Sequence, residues 1–135
     1  MRTKRFLLTS GVLMLVALAW NAFVHLVVLR AANASVAHLR RPDLADKACL
    51  SLILTAGIIM AFVWGYGRAA KTGSVREGLA YGLFFAVLAG LFVDLNQYVL
   101  FPIPAGVAAQ WFLGGLVEFS LYGVIASRLC PPPGR

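Results

Sequence analysis

Four side chains that could handle a proton or a cation lie inside apolar stretches of this sequence: Asn21, His25, Asp94 and Glu118. A charged side chain in mid-bilayer costs at least ~2.5 to 3.5 kcal/mol, so such groups normally face a partner or water. The apolar stretches contain no Lys or Arg that could neutralise the two acids. We therefore expect Asp94 and Glu118 to be protonated, hydrogen-bonded or exposed to water. His25 and Asp94, at similar depth, form the best predicted pair.

Further polar residues lie at the depth of these groups. Counting ~1.5 Å per residue from the helix ends places most of them in the outer half of the membrane, opposite the chain termini. Glu118 lies nearer the middle, ~18 Å from the outer turn. This distribution predicts a polar pocket open to the outer side. For the amides, the alternative is an interhelical hydrogen bond, worth ~0.6 kcal/mol on average. The predicted pocket residues are Asn21, His25, Asp94, Gln97, Gln110, Glu118 and Tyr122.

No short catalytic or metal-binding motif accompanies these residues. The sequence has no His-Glu-x-x-His, no Gly-x-Ser-x-Gly, no phosphate-binding loop and no Cys-x-x-Cys, so an enzyme is the least favoured class. His25 has no companion at ligand spacing, so no metal site is predicted, and nothing in the sequence names a cofactor. Cys49 and Cys130 fall on opposite sides of the predicted membrane, where they cannot form a disulfide within one chain.

The elements that must position these side chains are four apolar runs. The chain has 135 residues, of which 61% are hydrophobic and 13% charged, too few polar residues to cover a soluble domain of this size. Each run approaches or exceeds the ~20 residues that cross a bilayer as a helix. The sequence therefore predicts an all-α protein, a single membrane domain over 1–135 that forms an antiparallel four-helix bundle. The predicted spans are 6–29, 48–66, 78–100 and 106–127.

The first span and the loop after it each allow two interpretations. The first run could be a signal peptide cleaved after Ala19, but it continues to Leu29, beyond the ~7 to 15 apolar residues of such a segment. We expect it to be retained as a helix. Within the long loop 30–47, Val36 and Leu39 among polar neighbours could form a short helix on the outer headgroups. An extension of the first helix beyond the membrane is the alternative.

The net charge of +7 comes from basic residues next to the apolar runs. They form no single patch with aromatic stacking partners, so nucleic acid is not an expected partner. With both termini cytoplasmic, eight Lys and Arg residues face the cytoplasm and four face outward, as the positive-inside rule requires. We expect a multi-pass protein of a bacterial inner membrane, with an extended proline-rich tail after Cys130. The cytoplasmic cations are Arg2, Lys4, Arg5, Arg68, Lys71, Arg76, Arg128 and Arg135.

Small residues recur at every fourth position on three of the spans, and the row on the third span ends in Asp94. Positions four apart share one face of a helix, so a neighbouring helix can approach the backbone closely along such a row. The rows predict close packing of the second, third and fourth spans. The predicted packing positions are Gly57, Ala61, Gly65, Gly78, Gly82, Ala86, Gly90 and Gly114.

Two functions fit these features. The leading hypothesis is a non-enzymatic accessory or scaffolding subunit whose polar groups fix the register of the helices. The alternative is a small proton-coupled transporter or ion carrier that uses Asp94, Glu118 and His25 as titrating groups. Four short spans bury little surface against one another, so we expect a homo-oligomer or a larger membrane complex within the lipid bilayer.

Overall fold

A computed structural model describes residues 3–131, and these form four long helices connected by short turns and loops. Each long helix is long and apolar enough to cross a membrane, which confirms the predicted all-α four-helix bundle. Arg2, Arg135 and residues 132–135 of the predicted extended tail lie outside the described range. The long helices are α1 (Thr3–Val28), α3 (Ala45–Ala69), α4 (Val75–Leu100) and α5 (Ala105–Leu129), and α2 (Arg30–Ser35) is short.

The outer surface of the bundle is apolar. Large hydrophobic side chains project from every long helix, and the most exposed, Phe92 and Val99, are 74% and 76% accessible. Such a surface would be unfavourable in water, whereas acyl chains are as apolar as the side chains themselves. The chain is therefore a multi-pass membrane protein with few side chains buried between its helices.

α4 and α5 form the most extensive helix pair of the bundle. Their backbones meet where Gly78 and Gly82 of α4 face Gly123 of α5. A Cβ atom at Gly82 would overlap the carbonyl oxygen of Phe119, and one at Gly78 would overlap the carbonyl oxygen of Gly123. The absence of side chains therefore permits backbone contact between these two helices.

The other predicted packing residues have different surroundings. On α3, Gly65 lies against the Tyr81 side chain, whereas a Cβ atom at Gly57 would meet no other residue's atoms within 4 Å outside its own helix backbone, and Ala61 is exposed. Gly114 of α5 makes only ordinary van der Waals contact. Within residues 3–131, the second-span row therefore meets another helix at Gly65, near the inner end of the bundle, where α1 begins and α5 ends.

Two of the long helices contain a wider, π-helical turn. In α1 the turn is Val24–Val28, where the Leu29 N–H donates to the Val24 carbonyl at 2.7 Å. In α4 it is Gly90–Asp94, which begins one helical turn after the buried Ala86 and lies next to the Phe112 ring of α5. Each turn adds a residue to the helix and rotates the side chains after it, so the face continuing past Asp94 differs from that of a regular helix.

The inner half of the bundle has an aromatic core centred on Phe62 of α3. Its ring centroid lies 4.9 Å from that of Tyr81, 5.1 Å from that of Phe85 and 5.9 Å from that of Tyr122. The Tyr81 hydroxyl also donates to the Phe62 carbonyl at 3.1 Å. This cluster connects α3 to both α4 and α5.

The outer segment between α1 and α3 matches neither interpretation of its sequence fully. The helical path bends at Leu29 (φ −98°, ψ 16°) and resumes as α2, so the first helix does extend past its predicted end. Val36 is not part of a surface helix, because it is buried against Ile103 and Val107, and Ala37–Leu39 forms a single 3₁₀ turn. The segment therefore folds over the start of α5.

The connection between α3 and α4 is organised by an N-terminal cap. The Ser74 hydroxyl accepts a hydrogen bond from the Glu77 N–H at 3.2 Å. The Glu77 carboxylate accepts bonds from the backbone N–H groups of Lys71, Thr72 and Gly73 at 2.6, 2.8 and 2.7 Å. Both partners of this capping arrangement hold the short turn that makes α3 and α4 antiparallel.

Replacing Gly82 with Ala will destabilise the bundle, because the added Cβ must displace the α5 backbone. We expect a loss of ~1 to 3 kcal/mol, the usual cost of overpacking. The measurement is thermal unfolding in detergent micelles, with Gly57→Ala as the matched control. Gly57 has open space around it, so the control should be neutral or more stable by up to ~1 kcal/mol from helix propensity. Equal effects at the two positions would contradict the packing described for Gly82.

The two cysteines will react with thiol reagents at different rates. Cys49 is exposed, whereas Cys130 is 2% accessible, and burial raises the pKa of its thiol, which lowers the thiolate fraction at neutral pH. In detergent at pH 7.5, N-ethylmaleimide should therefore add one group quickly and a second only after unfolding, as read by intact mass. Rapid double labelling of the folded protein would show that Cys130 is accessible.

Candidate functional site: an intramembrane cavity

A cavity of about 280 Å³ lies in the outer half of the bundle, between α1, α4 and α5. Since a water molecule occupies ~30 Å³ in the liquid, this space suits several waters or one small molecule. None of its lining residues is Lys or Arg. Its polar side chains are those of Asn21, His25, Asp94 and Glu118, and its aromatic side chains are those of Trp20, Trp111 and Phe119.

Helical spacing explains how these side chains reach the cavity. Asn21 and His25 are one turn apart on α1, so they share a face. Asp94 is the last residue of the π-helical turn of α4, which begins at Gly90. Glu118 lies at the middle of α5, ~20 Å from its outer end. The four groups therefore come from three helices and from two depths.

Glu118 is held by hydrogen bonds from two helices. Its Oε1 atom accepts a bond from Asn21 Nδ2 at 2.8 Å and another from the buried Tyr122 hydroxyl. Asn21 Nδ2 also donates to the Ala17 carbonyl at 2.9 Å. These bonds link α1 to α5, and within residues 3–131 no side chain donates to Glu118 Oε2.

Asn33 forms a second polar cluster at the outer end of the cavity. It is 6% accessible, and its Nδ2 lies 3.1 Å from His25 Nδ1 and 3.2 Å from the His25 carbonyl oxygen. The Trp111 indole N–H donates to Asn33 Oδ1 at 3.0 Å. Because an amide NH₂ only donates, His25 Nδ1 must accept, and the ring then carries its proton on Nε2. The cluster joins α1, α2 and α5.

The structure brings His25 and Asp94, the predicted pair, to one cavity without a direct bond between them. Both residues line the cavity, yet no hydrogen bond or ion pair joins them in the described chain. The bend at Leu29 returns Asn33 to His25, where Asn33 Nδ2 donates to the Nδ1 atom of the imidazole. The half-buried Asp94 carboxylate has no hydrogen bond or ion pair with any residue in 3–131.

The remaining predicted pocket residues lie elsewhere. Tyr122 does not line the cavity but contacts two residues that do, through its hydrogen bond to Glu118 and its ring contact with Phe119. Gln97 lines a second cavity beneath the outer segment, and Gln110 is exposed and lines neither cavity. The sequence of one helix shows which residues share a face but not which cavity that face meets, because the rotation of each helix about its axis depends on its neighbours.

Two residues of the site, Asn33 and Trp111, were not predicted from the sequence. A signal for Asn33 does exist, because the step-of-four row of Asn21 and His25 continues through Leu29 to Asn33. Trp111 has no comparable signal, since nothing local shows that its indole N–H needs an acceptor on another helix.

The lining of the cavity is acidic and aromatic. Within residues 3–131 no group of three or more His, Cys, Asp or Glu side chains could hold a metal ion. Two carboxyl groups face the cavity without a basic residue among its walls, and aromatic rings surround them. A carboxylate and an aromatic face both attract positive charge.

Removing the Asn33 amide will weaken the link between α1 and α5. We expect Asn33→Ala to cost ~1 to 3 kcal/mol, because the His25 and Trp111 partners are left unsatisfied. In a double-mutant cycle with Trp111→Phe, the two losses should overlap by at least ~0.5 kcal/mol. Asn96→Ala is the control, since Asn96 is exposed and should change stability by less than ~0.5 kcal/mol. Strictly additive losses in detergent unfolding would contradict the hydrogen bond.

No protein-family model, curated protein or solved structure matches this chain. The inference of function therefore depends on the geometry of the cavity and on the chemistry of the side chains that line it.

Proposed function

We propose that this protein is a small carrier that binds a proton or a small organic cation in the cavity and moves it across the membrane. The observation that supports this most directly is Asp94, a carboxylate that lines the cavity without a partner in the described chain. An unpaired acid within a membrane span is costly. An acid without a partner in the described chain is therefore best explained by a partner that enters and leaves the cavity. A proton or a cation entering the cavity provides such a partner.

The walls of the cavity favour an organic cation over a metal ion. Trp20, Trp111 and Phe119 offer ring faces, and the face of an aromatic ring attracts ammonium groups, most strongly when the site is desolvated. Metal ions prefer several oxygen, nitrogen or sulfur ligands in a fixed geometry, and the cavity brings together only two carboxyl groups and one imidazole whose Nδ1 is occupied.

The two acids lie at different depths, which suits stepwise movement. Asp94 is ~9 Å from the outer end of α4, and Glu118 is ~20 Å from the outer end of α5. A protonated carboxyl group that releases its proton as a cation arrives keeps the charge of the cavity constant. This exchange avoids leaving a bare charge in the membrane and would couple cation movement to proton movement in the opposite direction.

A second candidate function is the accessory subunit, with assembly into a homo-oligomer or a larger complex. The hydrogen bonds of Asn21 to Glu118 and of Asn33 to Trp111 favour it, because each fixes the position of α1 against α5. In either case we propose a multi-pass protein of a bacterial inner membrane with both termini cytoplasmic. Asp94 has no role in fixing helix register, so the carrier accounts for more of the site.

The carrier predicts that Asp94→Asn will slow cation-driven proton movement. The protein is reconstituted into vesicles that contain a pH-sensitive dye, and a tetramethylammonium gradient is applied at constant ionic strength. Vesicles with the wild-type protein should change their internal pH. Asp94→Asn and Glu118→Gln should each lower the rate of this pH change by about 10- to 100-fold, which corresponds to the loss of one charge interaction. Asp46→Asn removes an exposed acid outside the cavity and is the matched control.

Two results would decide against the carrier. One is wild-type flux no faster than in empty vesicles, and the other is unchanged flux in Asp94→Asn. If the variants instead change only the copy number or the partners seen by native mass spectrometry in mild detergent, the accessory subunit is the correct function.

A further inference from the structure

A second cavity, of about 270 Å³, lies beneath the outer segment. Its charged and amide side chains differ from those of the first cavity, which is acidic and is called the acidic cavity below. Its walls combine two arginines and an amide with apolar and aromatic side chains, and its location is the outer end of α4 and α5. Trp111 is the residue that it shares with the acidic cavity. The lining residues that matter here are Leu39, Arg40, Arg41, Gln97, Phe101 and Trp111.

We propose that this cavity binds the headgroup and upper acyl chain of an anionic phospholipid. The Arg40 guanidinium carries the attraction, because it has no hydrogen bond or ion pair with any side chain in residues 3–131. An arginine fork matches the geometry of a phosphate, and the Gln97 amide, on the wall of the same cavity, adds a neutral donor.

Arg41 is already partly engaged. Its Nε and Nη2 atoms donate to the Asp43 carboxylate at 2.9 and 3.1 Å, and these bonds lower the pKa of Asp43, which keeps that carboxylate ionised at neutral pH. Lys47 lies 3.9 Å from the same carboxylate. Arg40 is therefore the first contact for a phosphate, and Asp43 competes with the phosphate for Arg41.

The depth of the cavity indicates a lipid rather than a free phosphate. Phe101 follows the last residue of α4, at the level of the headgroups, and Trp111 lies ~9 Å deeper along α5. Leu39 and the two aromatic side chains form the apolar part of the wall, and Trp111 is the deepest of the three. A cationic rim above an apolar wall at a membrane interface is complementary to a phosphate carried on an acyl chain, and aromatic residues are enriched at this level.

Native mass spectrometry in mild detergent tests this site with three probes. Dioleoyl phosphatidylglycerol is the anionic lipid, dioleoyl phosphatidylcholine has the same chains without net charge, and glycerophosphoglycerol has the anionic headgroup without chains. The wild-type protein should retain one phosphatidylglycerol at least ~10-fold more tightly than either other probe, a ratio expected from a charge-assisted hydrogen bond. Equal retention of the two lipids would reject the charge recognition, and equal retention of the chain-free headgroup would reject the lipid.

Three substitutions separate the site from general electrostatic attraction. Arg40→Gln should weaken phosphatidylglycerol binding by about tenfold, whereas Arg30→Gln, the same change at an exposed position outside the cavity, should alter it by less than about twofold. Asp43→Asn should strengthen binding, because it releases Arg41. If Arg40→Gln and Arg30→Gln have the same effect, or if Asp43→Asn weakens binding, the proposed site is wrong.

Discussion

The backbone contact between α4 and α5 is the constraint on which the rest of the bundle depends. In lipid, helices gain nothing from burying apolar side chains, so close packing and a few hydrogen bonds must hold them together. Gly78, Gly82 and Gly123 supply the closest packing because no Cβ atom separates the two backbones. This contact sets the rotation of α4 and α5 and thereby brings Asp94 and Glu118 to one side of the pair.

The same contact explains why the cavity lies in the outer half. Toward the inner end, glycine contacts and the aromatic cluster around Phe62 fill the space between helices. Toward the outer end, the Phe112 ring lies against Gly90, and the π-helical turn Gly90–Asp94 changes the face that α4 presents. The cavity opens at this level, and all four of its polar side chains lie beside it.

The polar side chains of the outer half divide into two groups by what they contact. Asn21 and Asn33 make hydrogen bonds that connect helices, as amide groups in membrane proteins commonly do, and Tyr122 bonds to Glu118 within α5. Asp94 and the Arg40 guanidinium have no such bonds in the described chain and each lines a cavity. The residues that we propose to bind ligands are thus different from those that connect helices, and Trp111 lines both cavities.

The sequence by itself determined the elements of this protein. Hydropathy is a local property that adds along the chain, so the four spans follow directly, and helical periodicity placed Gly78, Gly82 and Gly90 on one face. It also showed that Asp94 and Glu118 lie within spans and lack a basic residue there.

Only the tertiary structure decided which side chains meet. His25 contacts Asn33 instead of Asp94 because the helical path bends at Leu29, and Gln110 is exposed because α5 is rotated by its contact with α4. Both outcomes depend on the rotation of helices against their neighbours and on one backbone bend. No local sequence pattern encodes these, because they result from the packing of all the helices together.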